Sequence, residues 1–240
     1  MTRLQKVWQY LVAIVLPNRC ICCGELIPPP DTVCLACETA LSVIKPPICP
    51  YCAHTKADCS CRKHRHLYDK IASPFYYENS AKGGVLRLKR IEDPKAVKRF
   101  ADMRCTVVKR EYGEEHIDRI TYVPMTGHAL REREFNQSKS LATAVAKRLA
   151  LPVTDTLVKL YETPPQKKLG LRTRSGNVLG VFDVTDPSVR GQTILLVDDV
   201  VTTGATLNEC AKMLKLYGAK RVLVVTVAVR KYEKKKDEIT

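Results

Sequence analysis

The sequence predicts an α/β protein with a parallel sheet flanked by helices and a small metal-binding module near the N-terminus. Residues 194–197 form a short, unbroken run of branched apolar side chains, typical of a strand buried on both faces of a parallel sheet. A helical pattern follows and ends at Gly218. Nine of the 11 cysteines fall between Cys20 and Cys61 in close pairs, which indicates metal binding rather than a disulfide framework.

The composition and charge narrow the possible partners. The 240 residues are 45% hydrophobic, and no apolar run is long enough to cross a bilayer. A formal net charge of +15 favours polyanionic partners such as nucleic acid or pyrophosphate esters. We expect an N-terminal helix and a double zinc ribbon over residues 1–66, then an α/β domain over 67–240 with its core at about 117–230.

The first 17 residues have a basic head and an apolar core, as a secretory signal does. They lack an A-x-A-like cleavage site, and the cysteines that follow require a reducing compartment. We therefore expect an amphipathic N-terminal helix, no membrane insertion and a cytoplasmic location.

Two sets of paired cysteines have the spacing of structural zinc sites. The first set is Cys20, Cys23, Cys34 and Cys37, and the second is Cys49, Cys52, Cys59 and Cys61. Cys22 is a spare thiol, and the second set ends in C-x-C, so His54, His64 or His66 could replace one of its thiolates. Four protein ligands leave no open position on zinc, which excludes water activation at these sites.

The segment after the cysteines is basic. A strand is predicted over residues 71–77 and a helix over 81–90, with a second helix after the break at Asp93-Pro94. No aromatic residues lie between the basic ones, which favours contacts with a phosphate backbone over base stacking. The nucleic-acid candidates are Arg87, Lys89 and Arg90. A solvated helix face accounts for the same charges equally well.

A strand over residues 117–123 ends in a loop at the sheet edge where residues 194–197 also end. Arg131 and Arg133 follow this loop, and a helix is predicted over 138–150. The two arginines either neutralise a bound anion or form salt bridges with Glu132 or Glu134.

Two adjacent carboxylates, Asp198 and Asp199, end the 194–197 strand, and small residues then open a helix. A loop that opens a helix directs backbone N–H groups at an anion, yet two carboxylates repel phosphate. A polyol held by the carboxylates beside a divalent cation explains both features, so the predicted ligand is a phosphorylated sugar. A plain helix cap seldom needs two carboxylates and four small residues.

The same stretch resembles the phosphoribosyl pyrophosphate (PRPP) signature of type I phosphoribosyltransferases, which is D-D, two apolar residues and T-T-G-x-T. The resemblance implies a type I phosphoribosyltransferase-like sheet that binds PRPP with Mg²⁺, and it assigns Asp198 and Asp199 to the ribose and to catalysis. The other residues that it assigns to PRPP are Val200, Val201, Thr202, Thr203, Gly204, Ala205 and Thr206. The residues that it assigns to pyrophosphate are Met125, Thr126 and Gly127, with Arg131 and Arg133 beside them.

Residues 163–177 are polar, basic and rich in glycine and proline, a composition typical of a mobile loop. An enzyme that transfers a reactive glycosyl group must exclude water, so a basic lid over pyrophosphate is physically reasonable. The lid candidates are Lys167, Lys168, Arg172 and Arg174. The alternative is a surface loop whose charges contact nothing.

The order of these motifs over nearly the whole chain resembles the ComF family of competence-associated proteins. The supporting motifs are the cysteine pairs, V-P-M-T-G-H, R-E-R-E-F-N-Q, T-P-P-Q-K-K-L, R-S-G-N-V-L-G-V-F and L-L-V-D-D-V-V-T-T-G-A-T. The resemblance implies handling of single-stranded DNA in natural transformation, beside a helicase partner. The chain departs from the family's R-G-F-N at Glu134, where glycine is usual, and in the C-x-C pair.

Three functions stay open. The first is phosphoribosyl transfer to an acceptor that the sequence does not identify. The second is PRPP sensing without turnover, and the third is a zinc-dependent adaptor that binds DNA.

Overall fold

A computed structural model of the chain describes residues 17–59, 61, 66–161 and 180–232. Its helices are α1 Leu35–Thr39, α2 Asn79–Leu88, α3 Pro94–Tyr112, α4 Gly127–Arg133, α5 Gln137–Leu149 and α6 Ala205–Leu216. Its strands are β1 Lys70–Ala72, β2 Phe75–Tyr76, β3 Arg119–Tyr122, β4 Leu157–Lys159, β5 Phe182–Val184, β6 Thr193–Val197, β7 Val200–Val201, β8 Arg221–Val225 and β9 Ala228–Val229. The predicted N-terminal helix and lid, with Lys167, Lys168, Arg172 and Arg174, lie outside the described residues.

The strands confirm the predicted parallel sheet. One sheet has four parallel strands in the order β1-β8-β6-β3, and a second has three parallel strands in the order β2-β9-β7. The chain passes from the first sheet to the second three times, from β1 to β2, from β6 to β7 and from β8 to β9. Strands β4 and β5 form a separate antiparallel pair.

Some predicted strands are shorter or divided in the structure. The segment 71–77 divides at Ser73-Pro74, because proline has no N–H to continue a ladder. The apolar, branched residues of 153–161 and 221–229 also predict strands. The segment 221–229 divides at Thr226 and Val227, where the Val227 N–H donates to the Asp199 carbonyl oxygen at 2.9 Å. Within 153–161, Leu157–Lys159 forms a strand.

The central strands form the core, as the apolar run 194–197 predicts. All five residues of β6 are buried, and Val222 to Val225 of β8 are fully buried beside them. Helices α3 and α5 pack against each other, α3 also contacts β1 and α5 contacts β3, while α6 packs against β8 and β5. Burial of each such aliphatic side chain contributes about 1.5–3 kcal/mol to stability.

The cysteine-rich segment shares this core. Cys20, Ile21, Ile44 and Ile48 belong to the same cluster of buried side chains as the central strands. Backbone hydrogen bonds also join the segment to the sheets, because Pro50 accepts from Ile71 at 2.8 Å. The zinc-ribbon segment is therefore packed directly against the edge where β1 begins.

Local capping explains where the main helices begin and end. Asp93 accepts a hydrogen bond from Lys95 N at 2.9 Å and starts α3 at Pro94, as the break in the sequence predicts. Helix α6 ends before Gly218, which has a φ of +92°. Helix α4 ends at Glu134, whose φ of +65° lies in the region that favours glycine. This is the position at which the chain departs from R-G-F-N.

None of the helices among the described residues combines the length and apolar character needed to cross a bilayer.

A candidate ligand pocket and two cysteine-rich metal centres

The structure gathers the eight predicted cysteines into two quartets. In each quartet the ligand atoms lie within 4.8 Å of one another. The Sγ–Sγ distance is 3.7 Å for Cys23 and Cys34 and 3.6 Å for Cys49 and Cys61. Four thiolates at about 2.3 Å from zinc in a tetrahedron lie about 3.8 Å apart, so both quartets fit structural zinc.

Of the three candidate histidines, neither His54 nor His66 replaces a thiolate of the second quartet. His54 is buried, with Nδ1 at 3.0 Å from the Cys52 carbonyl oxygen and its ring stacked on Tyr232. His66 stacks on Tyr68 with ring centroids 4.7 Å apart. His64 lies outside the described residues. The C-x-C pair thus completes an all-cysteine site.

The acidic pair lies where β6 passes into β7, at the junction of the two parallel sheets. Strand β3 pairs with β6 in register, with Tyr122 opposite Val197. The loop after β3 therefore leaves the sheet at the same edge as Asp198. This confirms that the two strand-to-loop junctions face one edge.

The start of α5 holds both carboxylates in place. Ser138 Oγ donates to Asp198 Oδ1 at 2.9 Å, and Gln137 Nε2 donates to Asp199 Oδ2 at 2.9 Å. Asn136 caps this helix by accepting from Ser138 N at 2.9 Å, and its Nδ2 donates to the Val123 carbonyl oxygen at 3.3 Å. The end of β3 thus fixes the residues that orient the acids.

Two cations balance the acidic pair. Lys89 Nζ lies 3.0 Å from Asp199 Oδ2, and Arg104 is fully buried with a guanidinium that has no hydrogen-bond partner among the described residues. Desolvation lowers the pKa of Arg104 to about 10, although Asp199 and Asp198 oppose the change. Desolvation and the charge of Asp199 raise the pKa of Asp198 to about 7.

The small residues after β7 form a loop that is exposed at its first two residues and buried at Gly204. Thr202 and Thr203 are exposed, Gly204 has a φ of +76°, and α6 begins at Ala205 and includes Thr206. The first N–H groups of a helix have no partner within it, so this loop and helix start offer donors to an anion.

The chain after the second quartet covers the loop. A Cβ on Gly204 would lie 3.6 Å from both the His66 ring and the Tyr68 hydroxyl. Leu67 N donates to Asn208 Oδ1 on α6 at 2.5 Å. The zinc-ribbon segment therefore forms one wall beside the predicted phosphate site.

The remaining predicted ligand residues occupy different positions. Val200 and Val201 form strand β7. Met125 is half-buried, and Thr126 is buried and caps α4 before Gly127 by accepting from Ala129 N at 3.2 Å. Arg131 and Arg133 are exposed, and within the described chain neither makes an ion pair with Glu132 or Glu134.

The three nucleic-acid candidates lie in three different surroundings. Lys89 contacts Asp199, and Arg90 is exposed. The Arg87 guanidinium lies against the first quartet, 2.5 Å from where a Cβ on Gly24 would be.

Sequence reasoning assigned no role to Gln137, Ser138, Arg104 or Tyr68 in the pocket. Gln137 belongs to the R-E-R-E-F-N-Q motif, and this membership could have indicated a role at the site. Arg104 is part of an ordinary amphipathic helix pattern, so only its complete burial and its interaction with the charges of Asp199 and Asp198 identify it.

Comparisons with known proteins agree with this arrangement. The double zinc ribbon domain model matches residues 11–66, and the phosphoribosyl transferase domain model matches residues 136–240. The chain is 30% identical over 201 residues to the DNA utilization protein YhgH of Salmonella typhimurium, covering 80% of this chain and 88% of that one.

Two further relatives are competence proteins. The chain is 27% identical over 201 residues to competence protein ComFC of Bacillus subtilis, covering 79% of this chain and 80% of that one. It is 25% identical over 221 residues to competence protein F of Haemophilus influenzae, with 86% and 94% covered. The zinc ribbon match and the geometry of the two quartets together support structural zinc in this segment.

Proposed function

Because the chain belongs to the ComF family, we propose that its pocket binds PRPP with Mg²⁺ and that the protein acts on single-stranded DNA. The observation that carries the proposal is the presence of Asp198, Asp199 and the Gly204 loop at one sheet edge, beside the loop after β3. A ligand that spans these features needs a polyol between two anionic groups, which describes PRPP.

Each part of the pocket has a task in this proposal. Asp198 and Asp199 accept hydrogen bonds from the ribose hydroxyls, and the loop 202–206 holds the 5′-phosphate. The Thr126 loop receives pyrophosphate, with Arg131 and Arg133 as neutralising cations. Mg²⁺ prefers oxygen ligands and neutralises the charge on pyrophosphate when it is bound.

In phosphoribosyl transfer the bond from C1 to pyrophosphate loosens and positive charge develops on the ribose. The two carboxylates stabilise that charge, and the cations near pyrophosphate stabilise the leaving group. The described residues supply no nucleophile beside C1, so an acceptor must provide it. The lid residues Lys167, Lys168, Arg172 and Arg174 are proposed to exclude water once PRPP is bound.

Calorimetric titration with PRPP, with and without Mg²⁺, tests the binding. Asp198→Asn combined with Asp199→Asn is expected to abolish binding while the protein stays folded. Asp31→Asn is the matched control, because Asp31 is exposed in the cysteine-rich segment and, within the described chain, its carboxylate makes no contact with Asp198 or Asp199. Equal affinity in the double variant and the control contradicts the proposal.

A panel of nucleobases then distinguishes transfer from sensing. Pyrophosphate release with one base identifies an enzyme and its acceptor. Binding of PRPP with no release from any base favours the sensor.

The DNA part of the proposal rests on the family and on a partly basic groove. A groove of about 590 Å³ lies between the first quartet and helices α2 and α3. Arg19, Arg87 and Lys95 line it together with the acidic Glu92 and Asp93. The family also implies a helicase partner and a cytoplasmic location, and cysteines gathered as zinc ligands rather than paired in disulfides fit a reducing compartment.

Fluorescence anisotropy with labelled single-stranded DNA tests this part. Affinity is expected to fall steeply with salt and to weaken in Arg87→Glu and in Arg90→Glu. Lys109→Glu on α3 makes the same charge change at an exposed position away from the groove. An equal loss in all three variants indicates a general effect of net charge and contradicts a defined DNA surface.

A further inference from the structure

Lys89 is a predicted nucleic-acid contact, and the structure places it beside the acidic pair. It directly follows α2, and its ammonium contacts Asp199 Oδ2 at 3.0 Å. Its side chain is 31% exposed and that of Asp199 is 7% exposed, so the ion pair is partly buried rather than in open solvent. Exposed ion pairs contribute little, whereas a partly desolvated one has a larger electrostatic effect.

The position of Lys89 is fixed by close packing of α2 on the first zinc site. A Cβ on Gly83 would lie 2.7 Å from the Cys22 carbonyl oxygen, and a Cβ on Gly84 would lie 2.7 Å from Phe100. These contacts leave no room for larger side chains on this face of α2. The helix end that carries Lys89 is therefore held by the cysteine-rich segment on one side and by α3 on the other.

The acidic pair needs a cation at this position. Two adjacent carboxylates in a desolvated site repel each other, and one of them then tends to keep its proton. A protonated carboxyl has lost part of its capacity to accept hydrogen bonds, and both acids are needed as acceptors for a ribose diol. The titratable groups that interact with the pair are Lys89 after α2, Arg104 on α3 and Cys210 on α6, and Tyr77 after β2 interacts with Lys89 itself.

We propose that Lys89 is a positioning residue that neutralises Asp199, so that Asp198 ionises at a lower pH than it would without the lysine and both carboxylates can accept hydrogen bonds from the hydroxyls of PRPP. This inference rests on the proposed function of the pocket. Arg104 adds a second positive charge without a hydrogen bond to either acid, whereas Lys89 is in direct contact with Asp199. The pKa values agree with the contact, because the charge of Lys89 lowers that of Asp198, and Asp199 raises that of Lys89 against its desolvation.

The test compares Lys89→Met with Lys89→Arg and with Lys82→Met. Methionine keeps an apolar stem without the charge, arginine restores a cation, and Lys82 is an exposed lysine on the same helix. Carbon-13 NMR of the aspartate carboxyls without ligand is expected to show the Asp198 titration about one to three pH units higher in Lys89→Met. Asp198→Asn assigns the signal.

PRPP titration from pH 6 to pH 9 provides the second measurement. In Lys89→Met, affinity at pH 7 is expected to fall about tenfold or more and to recover towards pH 9, as the acid ionises. Lys89→Arg and Lys82→Met are expected to keep the wild-type profile. A Lys89→Met profile that is unchanged, or uniformly weaker at every pH, overturns the proposal.

The two measurements separate this inference from the proposed function. If the wild-type protein binds no PRPP, the proposed function fails, and the NMR titration alone decides whether Lys89 controls the ionisation of Asp198. An unmoved carboxyl titration in Lys89→Met overturns the inference even where PRPP binds normally.

Discussion

Replacing Asp198 with asparagine is expected to stabilise the fold while removing PRPP binding. Burial and the charge of Asp199 raise the pKa of Asp198 from 3.8 to about 7. Between about pH 4 and pH 7 the folded chain therefore keeps a proton that the unfolded chain releases. The free energy of unfolding of the wild-type protein therefore decreases as pH rises through this interval. Asparagine does not titrate, so it removes this decrease.

The magnitude follows from the same pKa values. A change from 3.8 to about 7 corresponds to about 4 kcal/mol above pH 7. Asparagine keeps the acceptor oxygen used by Ser138 Oγ and by the Asp199 N–H, at 2.9 and 2.8 Å. The pKa of Asp198 already includes the attraction of Lys89, but the Asp198 side chain is only partly buried and solvent screens its charge, so we expect about half of the gain, or about 2 kcal/mol, to appear. That gain raises Tm by about 4–8 °C in a chain of this size.

Thermal unfolding of both proteins from pH 3.5 to pH 9 measures this effect. The Tm values are expected to agree below pH 4, where Asp198 is protonated in the folded and the unfolded chain, to separate progressively between pH 4 and pH 7, and to keep a constant difference above pH 7. PRPP titration of the same samples is expected to show the loss of affinity, as is usual when a strained functional group is replaced. A variant less stable than wild type at pH 8, or a constant difference at every pH, refutes the reasoning.

Three other predictions concern the loops and the metal sites. Glu134→Gly is expected to raise the free energy of unfolding in urea by about 1 kcal/mol, because Glu134 has a φ of +65°, which glycine adopts without steric cost. An unchanged urea midpoint contradicts this prediction. Gly204→Ala and the control Gly191→Ala, at φ of +76° and +75°, are each expected to cost about 1 kcal/mol. Only Gly204→Ala is expected to weaken PRPP binding, and equal binding by both variants opposes a phosphate role for the loop. Metal analysis is expected to find two zinc ions per chain and one in Cys59→Ser, whereas two ions in that variant would exclude Cys59 as a ligand.

Local sequence was sufficient for the features that depend on short-range rules. The run 194–197 is buried as predicted, and the helix that follows the acidic pair ends before Gly218 as predicted. The spacing of the cysteines identified both quartets, because ligands on two tight turns reach one metal whatever the rest of the chain does. The lid residues stay a prediction, since they lie outside the described residues.

The sequence alone did not determine which side chains from distant segments meet at the acids. Lys89 and Asp199 are separated by 110 residues in the chain (199 − 89) and meet only because α2 packs on the first zinc site and on α3. Arg104 fits a helix pattern. Only the packing of α3 reveals that its side chain is fully buried and interacts with the charges of Asp199 and Asp198. Periodicity shows which face of an element is apolar, but the charge balance of a pocket depends on distances between elements, and these are set by packing in three dimensions.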